Sequence, residues 1–140
     1  MATDESQFQS QFRKSLKAHY TDAVVWTNND MFRIGLPDFS VAWHGKFFSI
    51  EAKFIRELPK RKASQALKHE VSPAQAEFMS KIRASGNCAG VLIGLKDVAV
   101  FMPEIKTNYT LEEVLAGHRI SRIGSEWGVP GFLELVMRLS

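Results

Sequence analysis

The 140-residue chain has the length of one domain. Its 45% apolar and 24% charged residues are those of a globular protein, which excludes disordered, collagen-like and coiled-coil chains. Its one cysteine, Cys88, excludes a disulfide framework and a cysteine-rich zinc site within one chain. The net charge of +3 lies wholly within residues 54–70, where Arg56, Lys60, Arg61, Lys62 and Lys68 outnumber Glu57 and Glu70; the other 123 residues carry 13 charges of each sign.

In chain order, the acidic, polar start from Met1 to Gln7 does not read as a secretory signal. No apolar run approaches the roughly 18 residues of a membrane span. An intracellular protein without a membrane partner is therefore expected, and its compact size would suit a phage or mobile-element product. Phe8, Phe12, Leu16 and Tyr20 recur at helical spacing and predict a helix over residues 4–19, with Thr3 as N-cap. Ala23 to Thr27 is a short β-prone run, and Asn28-Asn29-Asp30 is turn chemistry. Asp38 to Trp43 and Lys46 to Phe54 read as two strands joined by a tight hairpin at His44-Gly45. In the second of these, Phe48, Ile50, Ala52 and Phe54 share one face, and Phe47, Ser49, Glu51 and Lys53 share the other.

Pro59 breaks the basic stretch that follows. Ser72-Pro73-Ala74-Gln75 then opens a helix, with a capping residue, proline at the first position and glutamine at the third. Gly86 closes that helix, and Phe78, Met79 and Ile82 are its expected buried side. Ala89 to Leu95 and Val98 to Met102 read as strands, Thr110 to Glu113 as a capping box, and Phe132 to Leu139 as a last helix. Gly124, Gly128 and Gly131 suggest an irregular connection before it. The order is α/β with a mixed sheet rather than a Rossmann repeat. One domain is expected over residues 1–140, with a core at about 5–102 and a helical extension at about 110–140. Trp26, Trp43 and Trp127 read as core, and the four histidines have no metal-ligand spacing.

The chemistry lies in Gly35-Leu36-Pro37-Asp38 and, 13 residues after Asp38, Glu51-Ala52-Lys53. Strand pairing would bring Asp38 and Glu51 together as a hard oxygen site suited to Mg²⁺, with Mn²⁺ as a substitute. Lys53 faces the same side as Glu51 and could neutralise developing charge or hold an attacking water. The Ala52 carbonyl is a further candidate ligand. Such parts suit metal-assisted hydrolysis of a phosphodiester. The basic segment suits a polyanion, and Arg33 could also reach a phosphate.

These residues resemble the PD-(D/E)xK nuclease superfamily, most nearly its small Holliday junction resolvase-type and VRR-NUC-type endonucleases. The resemblance rests on Gly35-to-Asp38, Glu51-Ala52-Lys53, the Ser72-to-Gln75 helix start and the strand ending at Met102-Pro103. It implies an αβββαβ core and metal binding by Asp38 and Glu51, with water positioned by Lys53. It further implies an acid on the first helix, Glu5 with Asp4 as competitor, and a site role for Gln75, which can equally be only a capping residue. Branched DNA is the implied substrate, gripped through Lys60, Arg61, Lys62 and Lys68 by a homodimer. The alternatives are a restriction-type or nicking nuclease and a DNA-binding module without turnover.

Overall fold

A computed structural model of the chain describes residues 3–28 and 35–140. Helix α1 (Asp4–His19) starts at Thr3, whose side chain accepts from the Ser6 amide. Three antiparallel strands follow: β1 (Val24–Thr27), β2 (Phe39–Trp43) and β3 (Lys46–Phe54). Helix α2 (Pro73–Ala84) then crosses over to β4 (Cys88–Gly94), which lies parallel to β3. This is the expected αβββαβ order in a mixed sheet. Strand β5 (Val98–Met102), helix α3 (Leu111–Leu115), strands β6 (His118–Ile123) and β7 (Glu126–Trp127), and helix α4 (Phe132–Leu139) complete the chain. The seven strands among the described residues lie side by side in sequence order.

Local chemistry accounts for these boundaries. The β2–β3 turn is His44-Gly45, with φ of 48° and 73°, between the paired residues Trp43 and Lys46. Two positive φ angles are those of a type I′ hairpin, whose twist matches that of the strands. Asp22 braces the turn by accepting from Trp43 Nε1 at 3.0 Å and pairing with His44 at 2.8 Å. Both predicted capping boxes are present, Ser72 with Gln75 and Thr110 with Glu113.

The sheet carries a core on each face. Phe8, Phe12 and Leu16 of α1 join Phe39, Val41, Phe48, Ile50 and Ala52 on one side, with Phe132, Leu133 and Val136 of α4. Met79 of α2 joins Val91, Ile93, Tyr109 and Val114 on the other. Hence Ser49, Glu51 and Lys53 point to the α2 face, as their alternation requires.

Three expectations need correction. Met79, not Phe78, anchors α2, and Phe78 stays half-buried, because the helix meets the sheet along its Met79–Ile82 edge. Residues 118–127, part of the stretch expected to be helical or irregular, form the β6–β7 hairpin. Gly124 at φ 61° lies in its turn. Trp26 is 38% exposed, since β1 is the sheet edge, and α2 packs on β3 and β4 instead. Trp43 and Trp127 are buried as expected.

Gly90 on β4 lies beneath the Phe101 ring, and a Cβ there would fall 2.2 Å from Phe101 Cζ. Gly90→Ala is expected to cost about 1–3 kcal/mol through overpacking, measured as a lower urea midpoint with an unchanged slope.

Candidate active site

Asp38 directly precedes β2, and the β2–β3 ladder ends at Phe39–Ile50, so Asp38 and Glu51 face each other just beyond its end. Both side chains lie on the α2 face. The Asp38 amide donates to Glu51 Oε1 at 3.1 Å, and Asp38 Oδ2 accepts from the Ala52 amide at 2.8 Å. Lys53 Nζ stands 3.4 Å from Glu51 Oε2. The structure therefore brings Asp38, Glu51 and Lys53 into one cluster.

Glu51 is 1% exposed. Burial first, and then the Asp38 carboxylate, push its pKa up to about 9, while Lys53 pulls the other way. Desolvation and a like charge both disfavour the ionised form, and one ammonium does not offset them.

The other expected residues sit further out. Gln75 closes the α2 capping box, and its Nε2 donates to the Leu36 carbonyl at 3.3 Å. It therefore holds the loop that delivers Asp38. Gly35 belongs to the same joint: its φ is 95°, and a Cβ there would come within 3.0 Å of Ala74. The Ala52 carbonyl, a candidate metal ligand, accepts from Gln9 Nε2 at 3.1 Å.

Glu5 lines a cleft of about 750 Å³ with Asp4, Phe54, Ile55, Arg56, Lys68 and His69. Four residues along a helix is about 6 Å, so Gln9, not Glu5, is the α1 side chain that meets β3 at Ala52. Among the described residues, no three His, Cys, Asp or Glu side chains are grouped to share a metal ion. Of the expected metal residues Asp38, Glu51, Ala52 and Glu5, the first three lie together and Glu5 is not grouped with the two carboxylates.

One residue at the site was missed in the sequence, and so was a second that only feels its charge. Gln9 is the first. The other is Arg13, half-buried, whose guanidinium pKa is lowered by burial and raised in return by the charge of Asp38. Glu5, Gln9 and Arg13 recur every four residues beside the buried Phe8–Phe12 stripe. That spacing was the available signal, but glutamine and arginine on a helix flank are ordinary surface residues.

Lys60, Arg61, Lys62 and Lys68 are exposed. Their segment is nevertheless tied down. Ala66 N donates to Tyr109 O, Val71 N to Thr107 O, Leu111 N to Ser64 O and Glu112 N to Lys62 O. Arg33 lies outside the described residues. No helix among the described residues is long and apolar enough to cross a membrane.

The fold is similar to that of the Holliday junction resolvase Hjc of Archaeoglobus fulgidus, an archaeal hyperthermophile. The likeness covers 78% of this chain and 93% of the resolvase, at 16% identity and a TM-score of 0.48. No family model and no curated protein matches the chain.

Burial of Glu51 gives a stability test. Its folded pKa lies above its ordinary value of 4.5, so between those two values the fold keeps a proton that the unfolded chain releases. Stability of the protein without added divalent ions is expected to fall as pH rises through that window. Glu51→Gln is expected to remove the slope, gaining on the order of 1–3 kcal/mol at pH 8 and nothing at pH 4. Urea denaturation of both proteins at both pH values checks this.

Proposed function

We propose that the protein is a metal-dependent DNA endonuclease that hydrolyses phosphodiester bonds, with branched or junction DNA as its substrate. The single observation supporting this reading is the cluster of Asp38, Glu51 and Lys53 at the open end of the β2–β3 pair. Two carboxyl groups held against each other, the buried one keeping its proton until a cation joins them, offer oxygen donors only. That donor set suits Mg²⁺, or Mn²⁺ in its place. Asp38 and Glu51 would hold the ion. When bound, it supplies Lewis-acid polarisation and a more acidic water.

The chain's own residues supply the rest. The Asp38 amide fixes Glu51 Oε1, leaving Oε2 beside the Lys53 ammonium. That ammonium can orient a water and offset the negative charge that grows on the phosphoryl oxygens. Gln75 keeps Leu36, and so the approach to Asp38, in place. Exposed Lys60, Arg61, Lys62 and Lys68 supply cations for the DNA backbone beyond the end of β3. Such phosphate contacts position a duplex without reading its sequence. A four-way junction presents two strands to cut, which suits a two-fold homodimer.

Incubation with four-way junction, flap and linear duplex, in Mg²⁺ and in EDTA, tests the reading. Junction cleavage in Mg²⁺ alone is expected. Retained binding with no cleavage in Mg²⁺ or Mn²⁺ would refute it, and cutting of linear duplex at one fixed sequence would replace junctions with a sequence-preferring target. Asp38→Asn and Lys53→Ala are each expected to lower kcat about 1,000-fold with binding largely kept.

Replacing Lys60, Arg61 and Lys62 together with alanine is expected to flatten the slope of log affinity against log salt by about 2–3. An unchanged slope would remove this segment from the DNA interface.

A further inference from the structure

Strand β3 outruns its neighbour. Its ladder with β2 ends at the pair Phe39–Ile50, whereas its ladder with β4 continues to Phe54–Gly94. Backbone groups alternate along a strand, so those of Lys46, Phe48, Ile50 and Ala52 point toward β2. At Ala52 there is no strand residue left to meet them. Two side chains stand in: Asp38 Oδ2 takes the Ala52 amide at 2.8 Å, and Gln9 Nε2 gives to the Ala52 carbonyl at 3.1 Å. Asp38 thereby holds the peptide between Glu51 and Ala52, and Gln9 holds the peptide between Ala52 and Lys53.

We infer that Gln9 is a positioning residue of this site: by donating to the Ala52 carbonyl it fixes the peptide from which Lys53 projects, and so the place of the ammonium beside Glu51. The inference rests on the nuclease reading only for its effect on rate. The effect on the backbone stands without it. The geometry calls for a donor at this position. The carbonyl needs an N–H donor, and a carboxylate at that point would repel it. Gln9 is half-buried on a helix whose flanking Phe8 and Phe12 are locked into the core, so the donor is delivered from a rigid element.

Gln9→Ala, Gln9→Glu and Gln9→Lys, with Gln11→Ala as a control on the same helix, separate positioning from simple support of the fold. Amide exchange of Lys53 in the protein without metal is expected to speed up on the order of fivefold in Gln9→Ala and Gln9→Glu. No change is expected in Gln11→Ala. In the junction-cleavage assay the same two variants are expected to lose up to about 100-fold in kcat with KM nearly unchanged. Gln9→Lys, which keeps a donor, is expected to recover much of both. Unchanged exchange and kcat in Gln9→Ala would overturn the inference. So would a loss of thermal stability with no change in kcat. Faster Lys53 exchange in a protein that cuts no DNA would uphold the positioning role and overturn the nuclease reading instead.

Discussion

The register of β2 against β3 is the constraint on which the site depends. A two-residue turn at His44-Gly45 sets it, pairing Trp43 with Lys46 and hence, four residues further on each strand, Phe39 with Ile50. Asp38 and Glu51 face each other just beyond that pair. Because side chains alternate, a slip of one residue would send one carboxylate to the α1 face and leave the other on the α2 face. The slip is resisted on both sides. Val41, Phe39, Phe48 and Ile50 are each 0% exposed in the α1-side core, and Asp22 ties the turn through Trp43 and His44. Packing far from the carboxylates therefore decides where they meet.

That arrangement carries an electrostatic cost. A buried carboxylate beside another carboxylate is disfavoured unless a cation joins them. The fold answers with backbone and side-chain donors: the Asp38 amide on Glu51, the Ala52 amide on Asp38, and Lys53 against Glu51. Behind them on the same face lie Ser40 and Ser49, both buried. Ser40 is held by Asn28 Nδ2 at 2.9 Å, while Ser49 Oγ has no hydrogen-bond partner among the described residues. A polar stripe thus runs under α2 where an apolar one would be more stable. Such departures from optimal burial are what the proposed site would require. The apolar surplus that supports it lies on the opposite face, in the packing of α1 and α4.

Much of this was legible in the sequence because local chemistry and tertiary packing agree there. The α1 repeat of Phe8, Phe12 and Leu16, the His44-Gly45 turn, the two capping boxes and the alternation of β3 each carry their own signal. The Asp38, Glu51 and Lys53 cluster could be read because strand pairing converts sequence spacing into proximity. Legibility failed where tertiary contacts chose between equivalent residues. Phe78 and Met79 are adjacent, and only the approach of α2 to β4 favours the methionine. The β6–β7 hairpin has His, Arg and Ser where strong strand formers would announce it, and it exists because β5 offers an edge to pair with. Gln9 was hidden for a sharper reason. Its partner is a backbone carbonyl, which leaves no trace in residue types.

The basic segment shows how a loop can be solvent-facing yet ordered. Its cations are exposed, but Ala66, Leu67 and Val71 between and after them are buried in the α2-side core. Backbone bonds from Lys62, Ser64, Ala66 and Val71 to residues 107–112 pin it, and Asn108 holds Leu67 at both its amide and its carbonyl. A free lysine-rich loop would lose conformational entropy on meeting a polyanion. Here folding already meets the backbone share of that loss, so the proposed contact with DNA would restrict mainly side-chain freedom. The segment also leaves β3 one residue beyond Lys53 and borders the cleft at Lys68 and His69. The same rigid strand end therefore fixes both the carboxylate cluster and the start of the cationic surface. A mutation that loosened residues 107–112 would disturb the cations without touching any of them.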